Sequence, residues 1–147
     1  MSNVSLQDFC NHAVTAGSIT CGDVRTLMRD VVPDGLVHRD EADMLMALER
    51  AVPAADPAFG DFVVAAVVDF AVWGERPSGY VDREVAAWLA ASIAGRAGPT
   101  PVGARIAMEI VREAESSAEA LMVFALEANR WTREPAPTLR PRFALAA

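Results

Sequence analysis

Apolar side chains recur along most of this chain at three- and four-residue spacing, the period of one helix face. No stretch alternates long enough to read as a half-buried strand. Leu6, Cys10, Ala13 and Val14 outline a first helix that starts at Ser5 and stops at Gly17-Ser18. Thr20 with Asp23 three residues on predicts a capped second helix, with Val24, Leu27, Met28 and Val31 inward, broken by Pro33-Asp34-Gly35. The third spans Arg39 to Ala51 around Ala42, Leu45 and Leu48. A fifth begins near Asp82 and carries Val85, Ala86, Trp88, Leu89 and Ile93; a sixth opens at Thr100-Pro101 with Ile106, Ala107 and Ile110 inward. Ser116 with Glu119 predicts a capping box for a seventh, in which Leu121, Phe124, Ala125 and Ala128 face inward.

The fourth segment differs. From Asp56-Pro57, a cap residue followed by proline at the first helical position, to Trp73 or Gly74, apolar residues cover nearly the whole circumference. Only Asp61, Ala65 and Asp69 mark a narrow polar side. A strand over Phe62 to Val68 is the competing reading, on account of its valines; length and the flanking cap favour helix. A helix apolar almost all round belongs at the centre of a fold. The expectation is an all-α class: a compact bundle of about seven helices around this central rod. Residues 1–131 form one domain, and 132–147 form an irregular tail in which Pro135, Pro137 and Pro141 oppose helix.

Composition narrows the partners. The chain has 147 residues and a net charge of -7, and arginine supplies all 13 positive charges. Residues 1–75 carry 12 acidic and 4 basic side chains, which repel phosphate backbones and anionic lipid, so nucleic acid is not an expected partner. Met1 to Phe9 lacks the basic and apolar regions of an export signal, and Phe62 to Val68 is too short for a membrane span. A cytoplasmic location is the default. Cys10 and Cys21 make no CxxC pair, and Cys10 reads as a small buried hydrophobe.

One loop invites a metal test. With Glu41 as position 12 of a calcium loop, Asp30 falls at position 1, Asp34 at 5, Gly35 at 6 and the carbonyl of Leu36 at 7. Val32 at position 3 lacks a donor and His38 at 9 is a poor ligand for a hard cation. Asp30 and Glu41 as ordinary capping groups are the competing explanation. Gly35, Val37, Arg39 and Ala42 recur 44 residues later as Gly79, Val81, Arg83 and Ala86, an echo explained equally by two similar loops entering helices. The stretch Asp34-Gly35-Leu36-Val37-His38-Arg39-Asp40-Glu41 resembles the repeated element of the TerB-like tellurite-resistance family. That resemblance implies a compact helical fold and carries Asp34, Gly35 and Glu41 onto an acidic metal-binding loop. The second copy, Ser78-Gly79-Tyr80, departs from it by lacking the aspartate.

Catalytic signals are sparse. His12 and Cys10 lie two residues apart on a helix and point to different faces, and no HExxH, phosphate loop or GxSxG occurs. Asp69 interrupts the apolar rod and would need a partner such as Arg83, Arg105 or Arg112 if buried. The leading reading is a small non-catalytic interaction or regulatory module, with a protein partner or self-association as a homodimer. Trp73, Tyr80, Trp88 and Trp131 are its candidate anchors and Arg140 and Arg142 its candidate basic contacts. Second stands a metal-responsive TerB-type domain binding calcium or another divalent cation through Asp30, Asp34, Leu36 and Glu41. A small-molecule enzyme stands third.

Overall fold

The segment that could not be left in water organises the molecule. In the computed structural model, which describes residues 2–133 and the side chains of residues 6–130, Pro57–Asp69 forms helix α4. It continues through a wide π turn, Phe70–Gly74. Asp56 caps it by accepting a hydrogen bond from the Ala58 N–H, as the Asp-Pro signature predicts. Phe59, Val63, Val67 and Val72 are fully enclosed, whereas Asp61, Ala65, Asp69 and Trp73 line up at four-residue spacing on the exposed side. The whole rod Pro57–Gly74 has mean hydropathy 1.5, long and apolar enough by composition to cross a membrane. Half of it is instead enclosed by protein.

Before α4 come α1 (Ser2–Ala16), α2 (Cys21–Thr26, extended by a π turn at Leu27–Val31) and α3 (Arg39–Ala51), of which α2 and α3 pack against it. After it come α5 (Arg83–Ala94), α6 (Pro101–Glu113) and α7 (Glu119–Arg133). The seven expected helices are present. Thr20 and Asp23 form the predicted reciprocal cap, and Asp82 and Thr100 accept bonds from the Val85 and Gly103 N–H groups. One core joins all seven helices, from Leu6 and Leu27 through Leu45, Phe59 and Leu89 to Ile110 and Leu121. The last helix runs two residues past the predicted boundary at Trp131; residues 134–147, including Arg140 and Arg142, lie outside the described residues.

Four local expectations are corrected, the first being that α1 begins at Ser2 and not at Ser5. Met28 is exposed and Val32 takes its place inside. The π turn closes with a bond from the Val32 N–H to the Leu27 carbonyl, five residues back, and so rotates the apolar phase. Val14, expected inward, stands at the rim beside the buried Ala13. Ser116 does not cap α7, because it is used in a strand bridge.

That bridge belongs to a repeat. Two-residue strands β1 (Ser18–Ile19) and β2 (Ala54–Ala55) pair in parallel, as do β3 (Tyr80–Val81) and β4 (Ser116–Ser117). Each element of the second half begins 62 residues after its counterpart: Tyr80 after Ser18, Arg83 after Cys21, Pro101 after Arg39, Ser116 after Ala54 and Glu119 after Pro57. Bonds repeat at the same spacing, the Asp56 N–H to the Ile19 carbonyl matching the Ala118 N–H to the Val81 carbonyl, both 2.8 Å. Gly17 and Gly79 precede β1 and β3 with φ of 76° and 85°, values that favour glycine. The 44-residue echo survives as a local likeness: two helices end in π turns, then turn at Gly35 or Gly79 into the next helix. The fold therefore consists of two similar halves that share α4, which closes the first and opens the second.

Removing a side chain from the rod's enclosed face tests its central place. Phe59→Ala is expected to cost about 3–5 kcal/mol of unfolding free energy, and Ala65→Ser on the exposed line no more than about 0.5 kcal/mol, measured by urea denaturation. Similar costs at the two positions would contradict the arrangement.

Candidate functional site

The residues singled out by sequence separate into different environments. Glu41 is 1% exposed, and its Oε1 accepts hydrogen bonds from the backbone N–H groups of Val37 (2.7 Å) and His38 (3.1 Å). The carboxylate thus closes the first turn of α3 on itself, as a capping group does. Asp30 lies on the surface against Arg29 at 3.2 Å, and Asp34 is exposed. Among the described residues no three His, Cys, Asp or Glu side chains converge as a metal site. Asp30, Asp34 and Glu41 therefore form no common donor set, and the carboxylate that would close a calcium loop is engaged by backbone.

Arg39, two residues before Glu41 at the start of α3, organises the densest polar cluster. Its guanidinium forks between two carboxylates, with Nε and Nη2 donating to Glu75 after the rod, and Nη1 and Nη2 donating to Glu84 of α5 at 2.8 and 2.9 Å. The same cation lies 5.0 Å from the centroid of the Trp88 ring, which meets Phe70 edge-on at 6.0 Å. Trp88 Nε1 and Ser92 Oγ both donate to Asp43 Oδ1, at 2.9 and 2.6 Å. Trp88, expected as an interaction anchor, is thus half-buried and held by α3 on one edge and α4 on the other. The cluster ties α3, α5 and the end of the rod together. Hydrogen bonds from Arg39 hold the Glu84 carboxyl below the usual carboxylate range, and those carboxylates in turn push the guanidinium further from deprotonation. Every charged group named in this cluster has a partner, so it works as a clamp.

Tyr80 and Trp73 are exposed aromatics with polar tethers. Tyr80 Oη donates to Glu115 Oε1 at 3.1 Å, which raises the phenol above its ordinary value, and Trp73 Nε1 donates to Glu113 Oε2 at 3.1 Å. Asp69 faces solvent, which removes the need for a buried counter-charge; Asp61, about two turns earlier on the same line, meets Arg105 at 3.0 Å. The side chain of Trp131 and the arginines Arg140 and Arg142 lie outside what is described.

Two grooves, unanticipated in sequence, occupy equivalent places in the two halves. The first lies between α1 and α3, about 450 Å³, lined by Gln7, Cys10, Asn11, Val14, Thr15, Met44, Ala47, Leu48 and Ala51. The second lies between α4 and α6, about 250 Å³, lined by Val64, Ala65, Val68, Asp69, Trp73, Glu109 and Glu113. Ala47 and Ala51 of the first stand 62 residues before Glu109 and Glu113 of the second. The pair shares one architecture with opposite chemistry: one groove is uncharged and the other carries three carboxylates. In the first, burial raises the Cys10 thiol above its ordinary value, and no histidine, carboxylate or arginine lines the groove to activate it. A shallow depression of about 520 Å³ over β3 and β4 has a charged rim, but Asp82 caps α5 and Glu84 holds Arg39. The signal for the first groove was present in sequence as Cys10 and Val14, whose side assignment depended on how α3 crosses α1.

Comparison with family models, with curated proteins and with solved structures finds no match for this chain.

Two outcomes test these assignments. Glu41→Ala is expected to cost about 1–3 kcal/mol, because two backbone donors lose a buried acceptor. The loss should be the same with and without millimolar calcium, and calcium-dependent stabilisation of the parent alone would instead reveal a metal ligand. For Glu84, whose folded pKa is depressed, stabilisation is present above the unfolded value and fades as pH falls through the folded one. In an NMR titration of the Glu84 carboxyl, Arg39→Ala is therefore expected to shift the midpoint upward; an unchanged midpoint would refute the clamp.

Proposed function

We propose that this chain is a non-catalytic protein-interaction module that receives an amphipathic helix of a partner protein in the groove between α1 and α3. The observation that carries this reading is the groove's lining. It is open and mainly apolar, edged by the neutral hydrogen-bonding groups Gln7, Asn11 and Thr15, and lacks any charged side chain. From Gln7 to Thr15 the α1 wall extends about 12 Å, the length of two helical turns. Ala47 and Ala51 on the opposite wall are small enough for another helix to approach closely. Helix-in-groove recognition uses such surfaces, with apolar anchors at three- and four-residue spacing. The absence of charge favours an apolar helix face over an anionic or cationic ligand. The enzymatic reading has less support, because burial raises the Cys10 thiol above its ordinary value and no base lines this groove to activate it or the Thr15 hydroxyl.

Cys10 is a native reporter for the test. A photo-crosslinking amino acid at Ala47 of the full chain, exposed to extract of the source cell, is expected to capture a segment with apolar positions at helical spacing. A synthetic peptide of that segment should slow alkylation of Cys10 at least about fivefold while leaving exposed Cys21 unchanged, and Ala51→Glu should remove the protection. Unprotected Cys10 at saturating peptide, or protection that survives Ala51→Glu, would overturn the reading.

A further inference from the structure

The outward side of α7 carries a pattern with no use inside the domain. Leu121, Ala125 and Ala128 face the core, and Asn129 Nδ2 pins the helix to α6 through the Ala104 carbonyl at 2.9 Å. On the opposite side Met122, Val123 and Leu126 are 39%, 52% and 65% exposed, Leu126 the most exposed of the large apolar residues among those described. The spacing Glu119, Val123, Leu126, Arg130 is four, three and four, which sets all four on one narrow stripe of an α-helix. Glu119 and Arg130, at the two ends, are both exposed.

The duplication shows what Leu126 lacks. Leu126 stands 62 residues after Val64, its counterpart on α4, and Val64 is 7% exposed in the rod that the second half covers. No later unit among the described residues covers α7. The charge order then selects the occupant. We propose that the outward face of α7 is a self-association surface, on which α7 of a second copy packs antiparallel about a two-fold axis between residues 124 and 125. This register pairs Glu119 of each copy with Arg130 of the other and places Val123 against Leu126 across the axis. A parallel pairing would set Glu119 against Glu119 and Arg130 against Arg130, so the charges oppose it. One patch meeting itself is the isologous geometry of a two-fold dimer. The stripe spans about 17 Å, which is short beside the roughly 800 Å² per partner of a standard interface, so the dimer is reversible. This surface is separate from the α1–α3 groove, and either reading can fail without the other.

Sedimentation equilibrium of the full chain, from about 1 to 500 μM at low salt, tests it. The parent is expected to dimerise with a Kd of about 10–100 μM, a range suited to a small interface. Glu119→Arg or Arg130→Glu alone should weaken association at least about tenfold, and the double exchange Glu119→Arg/Arg130→Glu should restore it to within about threefold. Leu126→Asp should abolish it, with the circular dichroism spectrum unchanged. A parent that stays monomeric across the range overturns the proposal, as does dimerisation that appears only when residues 134–147 are removed. A dimer that survives Leu126→Asp places the contact elsewhere, and failure of the double exchange to recover refutes the antiparallel register.

Discussion

Burial of the rod Pro57–Gly74 is the constraint from which the remaining architecture follows. A helix with one polar line can leave only that line in water, so its other faces have to be covered from several directions. Here α2 and α3 cover it from the first half and α6 from the second. The aspartates at 61 and 69, with Ala65 and Trp73, fix which line stays outside. Rotation of the rod by one residue would carry a carboxylate into the core, an outcome that desolvation forbids without a counter-charge. Sequence thereby sets not only that this segment is central but also which way it faces.

The Arg39 clamp stands on top of that arrangement. The rod's last turn is wide, and the chain leaving it presents Glu75 to Arg39, while Phe70 presents its ring to Trp88. Arginine suits this place because a planar guanidinium serves two carboxylates in its plane and an aromatic face above it; lysine lacks the fork. The acidic motif beside it has a related explanation. Glu41 looks like the closing ligand of a calcium loop because a residue three positions into a helix with a free carboxylate is also what a capping box demands. Both chemistries require a carboxylate at the same spacing, and only the direction of the backbone N–H groups separates them.

That degeneracy explains what was legible beforehand. Helix starts at Thr20, Asp56, Asp82 and Thr100 were readable because a cap is a contact within one turn, determined by neighbours in sequence. The outward turn of Met28 was not, since a π turn adds one residue to a helical loop without a local signature. Ser116 was misread for a related reason. A serine three residues before a glutamate satisfies the capping pattern, but the strand partner Tyr80 lies 36 residues away and competes for the same backbone. The grooves were hidden more deeply still, because their walls come from helices whose crossing no local pattern records. The 62-residue repeat was invisible because it conserves backbone shape and hydrogen bonds while its side chains differ, as Ala47 and Glu109 do.

The two halves share one helix, and this has a consequence at both ends of the chain of elements. In the middle, α4 closes the first half and opens the second, so it is packed on both sides. At the ends α1 and α7 each play only one of those parts, and α7 retains at Leu126 a position that α4 has covered at Val64. Part of the apolar exposure lies on these two helices, Val14 beside the neutral groove and Leu126 on the outer stripe. Where the equivalent groove lies in the second half, Asp69, Glu109 and Glu113 keep it hydrated and unattractive to another apolar face. Charge thus protects the surface that duplication would otherwise have left sticky, and the groove between α1 and α3 lacks that charge.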